Sequence, residues 1–233
     1  MRRKFTKFEI SAESLDQLAF FQELPPSRRG EVYRRCEGRE YDAGAEILRH
    51  SDASQDVYFL LSGKAQVTVY SLSGRVVIFD EIGPGAMFGE MAAIDQQPRV
   101  ASVSAVEVCR TIKIAPDTFM QLVTSEPALA RYALQRLTSL IRQHCERILE
   151  FHSLPVPARI RAEFLRIAQT QASGRDRVVL APRPKDQDIA NRVGTNREQV
   201  NRERHSLMRR GLLEEKGNEF VVRSLIELRK EIS

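Results

Sequence analysis

Between about residue 20 and residue 115 the apolar positions fall in short runs, DVYFLL, KAQVTVY, RVVIFDEI, VASVSAV and CRTIKI. Turn signals separate them: Asp42-Ala43-Gly44, Ser62-Gly63, Ser73-Gly74 and Gly83-Pro84-Gly85. Short strands at regular spacing predict an antiparallel barrel or sandwich. At Pro127 the period changes. From there to His152 there is no glycine and no interior proline, and Ala130, Leu134, Leu137, Ile141, His144, Ile148 and Phe151 recur at alternating steps of four and three. A period of 3.5 is the seam of a two-stranded coiled coil, so this helix is expected to pair with its own copy in a homodimer. The alternative is a long helix lying on its own domain. His144, the polar member of the seam, either fixes register or touches something lodged between subunits.

Pro155-Val-Pro157 ends the helix and is expected to act as a short stiff hinge. Beyond it lie a helical stretch, ARIRAEFLRIAQTQ, a loop bearing Gly and Pro, and then KDQDIANRVGTNREQVNRERHSLMRRGLLEEKGNEFVV. In that last segment Ile189, Val193 and Val200 are apolar, Ala190 is small and Gly194 divides two amphipathic runs. This is the requirement of a helix-turn-helix, with a tight turn at the glycine and a small residue where the helices cross. Leu212-Leu213 and Phe220-Val221-Val222, joined through Lys216-Gly217-Asn218, predict a wing hairpin.

The chain has 233 residues, enough for one large or two modest domains, and its net charge is +5. The distribution of that charge is informative. Up to Leu154 there are 19 Lys and Arg against 20 Asp and Glu; from Pro155 onward there are 17 against 11. All the excess positive charge therefore lies beside the helix-turn-helix, which points to double-stranded DNA as the partner of this part. Cys36, Cys109 and Cys145 are widely spaced and form no C-x-x-C pair, so buried small hydrophobes are expected and no metal site is indicated. No run approaches the roughly 18 apolar residues of a membrane span, and MRRKFTKFEI lacks the apolar run of a signal peptide. A cytoplasmic protein without a membrane partner is the expectation. No Ser/His/Asp, Cys/His or metal constellation argues for an enzyme.

One segment stands out chemically. GAMFGEMAAIDQQPRVASV sets Gly89-Glu90 and Arg99 nine residues apart in an otherwise apolar stretch. A buried Glu–Arg pair inside the strands would use the same two residues. With this cassette, Gly44, Gly63 and Gly85, the long helix and TNREQVNR, the chain resembles, over nearly its whole length, the cyclic AMP receptor protein and fumarate-nitrate regulator (Crp/Fnr) family of bacterial transcription factors. The resemblance implies an α+β protein: an N-terminal antiparallel β-roll, jelly-roll-like, over 1–126, a dimerisation helix and hinge over 127–154, and a C-terminal winged helix-turn-helix over 155–233.

It also implies cyclic AMP as allosteric ligand. Arg99 would neutralise and doubly hydrogen-bond the cyclic phosphate, and Glu90 would accept the ribose 2′-hydroxyl proton. GEMAAI is expected to form a short helix, with Gly89 allowing close approach, the first N–H groups around Met91 facing the anion, and backbone near Val100 and Ala101 completing the cradle. Related cyclic GMP sites commonly carry threonine after the arginine, where this chain has Val100, which favours cyclic AMP. Alignment from the hinge sets His144-Cys145 where family members contact the base. Arg197, Glu198 and Arg202 form one exposed face suited to guanine acceptors and a cytosine amino group, and similar residues in the family read a palindromic G-T-G-A half-site. Asn196 or Thr195 is the expected N-cap and, with Lys185 and Arg192, a phosphate contact. Glu203-Arg204 depart from the apolar residues of the family's enteric member. RNA polymerase is an implied partner if the protein activates transcription. Rival readings are the same scaffold with cyclic GMP, haem, an iron–sulfur centre or no effector, and a nucleotide-binding interaction subunit that does not bind DNA.

Overall fold

The computed structural model describes residues 5–71 and 74–232. Ser73 of the expected Ser73-Gly74 turn, and the first four residues of MRRKFTKFEI, lie outside them. The chain divides into two compact units, Met1–Leu140 and Ile141–Ser233.

The first unit opens with β1 (Thr6–Phe8), α1 (Ala12–Asp16), α2 (Ala19–Gln22), α3 (Pro26–Tyr33), β2 (Cys36–Tyr41) and β3 (Glu46–Leu48). It continues through β4 (Val57–Ser62), β5 (Ala65–Tyr70), β6 (Val76–Ile82), β7 (Met87–Phe88), α4 (Glu90–Asp95), β8 (Ser102–Ala105), β9 (Cys109–Ile114) and α5 (Pro116–Ser125). Two antiparallel sheets result, ordered β1-β2-β9-β4-β7 and β3-β8-β5-β6. The five apolar runs all become strands. Residues 19–33, included in the strand-rich region, are instead largely helical, because Phe20 and Phe21 are needed as a cap over one sheet.

Strand β4 explains how the unit is layered. Side chains alternate across a strand, and DVYFLL is apolar at both parities because both faces are covered. Val57 and Phe59 join the helical side, where Phe59 meets Phe20 at 5.1 Å and Phe21 at 4.8 Å. Tyr58 and Leu60 face a second cluster that includes Ile47, Val103 and Ala105 of the other sheet. Cys36 packs at the edge of the helical cluster and Cys109 in the cluster between the sheets. Cys145, by contrast, is exposed, contrary to the expectation that all three are buried.

Helix α6 (Pro127–Ser153) runs from the first unit into the second. Its first turns use Leu129 and Ala133, both buried, and Tyr132 packs on the helical cluster. The seam residues form another stripe: Ala130 and Leu137 are half-buried, while Leu134, Ile141, His144 and Ile148 are exposed. The helix thus lies on its own unit by one face and presents the heptad stripe on another.

In the second unit α7 (Val156–Gln171), β10 (Val178–Leu180), α8 (Asp186–Val193), α9 (Arg197–Arg209), β11 (Leu213–Lys216), β12 (Glu219–Val222) and α10 (Leu225–Lys230) follow. The expected proline hinge is shorter than Pro155-Val-Pro157. Pro155 is the N-cap of α7 and Pro157 sits within its first turn, so only Leu154 and Pro155 separate the two helices. Proline suits the first turn of a helix, where its missing N–H is not needed. Within the expected loop, β10 pairs with β12 and makes the wing a three-stranded sheet, β10-β12-β11.

The two units have separate cores, so core truncations should act locally. Phe59→Ala should cost the first unit about 3–5 kcal/mol through the cavity it leaves, with hydrogen exchange in α8 and α9 unchanged. Loss of protection in both units would contradict this independence.

Candidate functional site

The cassette folds around Gly89. This residue has φ +84, in the left-handed region, and is the N-cap of α4, whose first residue is Glu90. A Cβ at Gly89 would lie 2.8 Å from Arg99 Nη1 and 3.0 Å from the Asp56 carbonyl oxygen. Only glycine fits that space in that conformation.

Arg99 is 4% exposed. Its Nη1 donates to the Gly89 carbonyl and its Nη2 to the Asp56 carbonyl, each at 2.6 Å, while Nε reaches Ser54 Oγ at 3.4 Å. Its main chain is tied to the same loop, with Arg99 N donating to the Asp52 carbonyl at 2.9 Å and Ser51 N donating to the Arg99 carbonyl at 2.8 Å. Lys113 holds Asp56 from β9 at 3.0 Å. Glu90 is also buried. Burial pushes its carboxyl pKa up, outweighing its own backbone N–H and the positive charges of Arg136 and Arg99. Ala101 is buried, and Met91 and Val100 are exposed. The structure therefore joins Gly89 and Arg99 directly, with Glu90 at their side. His144 and Cys145 lie on the exposed surface of α6 in the second unit. Arg136 was not singled out by its place in the sequence, and only its proximity to Glu90 marks it. A cyclic phosphate fits this donor set, since the Gly89 and Asp56 carbonyls orient a buried guanidinium at the start of α4, beside a glycine that lets a ligand approach the backbone.

The second unit holds the other constellation. Gly194 caps α8 in the left-handed region, with φ +66, and Asn196 caps α9, its side chain accepting from Gln199 N at 3.0 Å. The cap is thus Asn196, while the Thr195 hydroxyl lies 2.6 Å from Gln199 Oε1. Ile189, Ala190, Val193 and Val200 are buried where the helices cross. Arg197, Glu198 and Arg202 are exposed together on α9, and Lys185 is exposed at the start of α8. Lys185 and Arg197 share a cleft of about 440 Å3 with Arg183 and Arg204, two arginines the sequence pattern did not distinguish. Glu203 and Arg204 point inward to partners: Glu203 binds Arg161 at 2.6 Å, and Arg204 binds Asp186 at 3.3 Å and Glu215 at 3.2 Å. Ion pairs thus replace apolar packing at these two positions. Arg192 differs from the exposed group: its side chain is 11% exposed and paired with Glu163 at 3.5 Å.

No helix among the described residues is long and apolar enough to cross a membrane, and among them no group of three or more His, Cys, Asp or Glu is placed to hold a metal ion.

A β-roll with a glycine–arginine cradle, carried on one chain with a winged helix-turn-helix, defines a regulator with a sensor domain and a DNA-binding domain. The cyclic nucleotide-binding domain family matches residues 38–126 and the Crp-like helix-turn-helix domain family residues 158–231. The chain is 24% identical to the CRP-like cAMP-activated global transcriptional regulator of Mycobacterium tuberculosis, over 90% of this chain and 94% of that protein. It is 28% identical to the cyclic AMP receptor protein of Thermus thermophilus, over 75% and 78% of the two chains. In fold it resembles FixK2 from Bradyrhizobium japonicum, with a TM-score of 0.73 and 18% identity over 84% of this chain and 96% of the other. The chain belongs to the Crp/Fnr family of transcription regulators.

Gly89→Ala should destabilise the first unit by about 1–3 kcal/mol, from left-handed strain and the contact with Arg99. Denaturant midpoints of the two proteins measure this. A midpoint equal to wild type would mean the cradle is looser than these distances require.

Proposed function

We propose that the chain is a homodimeric transcription regulator that binds cyclic AMP in its β-roll and a palindromic G-T-G-A-type DNA site through α9. The observation that carries the reading is Arg99, a buried guanidinium oriented by the Gly89 and Asp56 carbonyls beside a left-handed glycine with no room for a side chain. Such a cation gains most from one compact anion with a pair of oxygens. Glu90 accepts the ribose hydroxyl, the first N–H groups of α4 near Met91 and the backbone at Val100 and Ala101 close around the phosphate, and the family resemblance assigns the base to His144 and Cys145. Val100, in place of a hydroxyl-bearing residue, favours adenine over guanine. The relatives named for cyclic AMP support the same ligand.

Dimerisation rests on the exposed heptad stripe of α6, in which Leu134, Ile141 and Ile148 stand seven residues apart. For DNA, Arg197 and Arg202 suit guanine edges, and Glu198 suits a cytosine amino group. Lys185, Thr195 and Asn196 lie at helix starts where phosphates are met. Arg192 is omitted from this set because its guanidinium is engaged with Glu163. The ligand is bound and released unchanged, with the protein acting on DNA in the cytoplasm and, as an activator, through RNA polymerase.

Arg99→Leu should weaken cyclic AMP binding at least about 100-fold, since it leaves a buried phosphate charge unpaired. Calorimetry on the full chain tests this, and an affinity within a few-fold of wild type would sink the assignment. The same measurement reads Glu90. Its raised folded pKa means that its contribution to stability is present below the ordinary carboxylate range and lost as pH rises through the raised value. Accepting a hydroxyl proton favours the ionised form, so cyclic AMP uptake in that window should release protons. Calorimetry in buffers of unlike ionisation enthalpy should detect the release in wild type and not in Glu90→Gln.

On the DNA side, Glu198→Ala and Arg202→Ala should each relax discrimination at one base pair by about 1–3 kcal/mol, whereas Lys185→Ala should weaken every sequence alike and flatten the salt slope. Equal losses on specific and random duplexes for all three variants would contradict this division of roles.

A further inference from the structure

Glu163 lies near the middle of α7, fully buried, with Ala162, Phe164 and Leu165 buried on either side. A carboxylate in such surroundings needs cations, and three helices supply them. Arg166 pairs with it from the next turn of α7, Arg147 approaches from α6 at 3.5 Å and Arg192 from α8 at 3.5 Å. Arg166 also grips both oxygens of Glu150 on α6, at 2.6 and 2.7 Å. Burial works to lower the Arg166 pKa, but Glu163 and Glu150 outweigh it and keep the charge in place.

A second contact joins the same elements. The Phe151 ring, at the end of α6, lies 3.0 Å from where a Cβ on Gly194 would stand, against the turn of the helix-turn-helix. The Arg159 guanidinium covers that ring at 4.7 Å. The end of α6 is therefore fastened to the reading head at two points, by Phe151 at the turn and by Glu163 at α8. Buried ion pairs add little net stability compared with apolar packing, but they hold directions that apolar contacts allow to slide.

We propose that Glu163 is a positioning residue for DNA reading: by drawing Arg147, Arg166 and Arg192 to one buried carboxylate, it fixes α8, against which the recognition helix α9 packs, to the end of α6. The spacing between two half-sites is then set by this ion cluster and not left to flexing at Leu154 and Pro155. The inference rests on the dimeric DNA-binding function proposed above.

The test uses the full chain and duplexes carrying two G-T-G-A half-sites, at the spacing wild type prefers and with one or two base pairs inserted. A single half-site duplex serves as reference. Wild type should lose at least about tenfold in affinity on insertion, because a two-fold dimer demands one spacing. Glu163→Gln leaves three arginines around a neutral amide, and its penalty for insertion should fall to about threefold or less, with half-site and cyclic AMP affinities within about threefold of wild type. Glu163→Asp should restore part of the discrimination. An unchanged insertion penalty in Glu163→Gln would overturn the proposal, and so would an equal loss on every duplex, the half-site included, since that marks a merely structural role. Should Glu163→Gln fail to fold, Arg147→Met, which removes the direct tie from α6 to Glu163 and leaves the Arg166–Glu150 bridge, carries the same expectation and the same refutation. A wild-type chain that binds none of the duplexes overturns the DNA reading and this inference with it, and is recognised because the failure appears before any substitution.

Discussion

A guanidinium taken out of water has to be met by oxygen, and the sensor end of this molecule is arranged around meeting that need for Arg99. Two of the oxygens that meet it are carbonyls of Gly89 and Asp56, and each constrains its own segment. Gly89 is forced into the left-handed region, which sets the direction in which α4 begins and brings Glu90 into the interior. Asp56 is held at the entrance to β4, and the Asp52 and Ser51 main chain is stitched to Arg99 on the other side. Arg99 thus ties the loop before β4 to the turn before α4, by its side chain and its main chain together. The carbonyls fix the direction in which the guanidinium points, and a planar fork held in one direction suits a ligand with two oxygens on one anion.

The second unit solves the same problem with the opposite sign. Glu163 is an anion met by arginines from three helices, where Arg99 is a cation met by loops. In both places the physical consequence is directional: a buried charge with its partners in place resists rotation, and removing one partner leaves the other uncompensated. The difference in partners suits the difference in role. Loops that orient a cation through backbone carbonyls can hold it against a small ligand. A helix junction held by full ion pairs is closed to ligands and transmits orientation.

Legibility in the sequence followed burial. Strands β4, β5, β6, β8 and β9 were readable because their apolar runs are longer than a loop would carry, and the helix-turn-helix because Ile189, Ala190, Val193 and Val200 must be apolar or small where α8 and α9 cross. Strand β2, with the sequence CEGREY, shows no apolar run because only Gly38 and Tyr41 in it are buried, while Glu37, Arg39 and Glu40 carry charge at the rim. Strand β10 is three residues long and exists only because β12 pairs with it. For the site, Gly89, Glu90 and Arg99 could be found from an acid and a base in an apolar stretch. Arg192 could not be told from Arg202, since both are arginines on amphipathic helices, and what separates them is a buried carboxylate 29 positions away on α7. Glu163 itself reads as one more polar position in ARIRAEFLRIAQTQ, because helical periodicity does not say that α6 and α8 will close over it.

Helix α6 joins these parts by carrying three separate faces. Leu129 and Ala133 anchor its start in the first unit, Leu134, Ile141 and Ile148 stand exposed along the heptad stripe, and Arg147, Glu150 and Phe151 grip the reading head. A helix gives 100° per residue, so a 27-residue segment has room for all three without sharing positions. Phe151 is the exception. It falls in the seam by spacing, yet its ring rests on the Gly194 turn, so the stripe at its far end is turned to the helix-turn-helix. In the proposed dimer, the register of this stripe is felt at the Gly194 turn through Phe151. A ligand that biases that register in the proposed dimer changes DNA affinity, and by the reciprocity of coupled equilibria the DNA acts back on the ligand by the same factor.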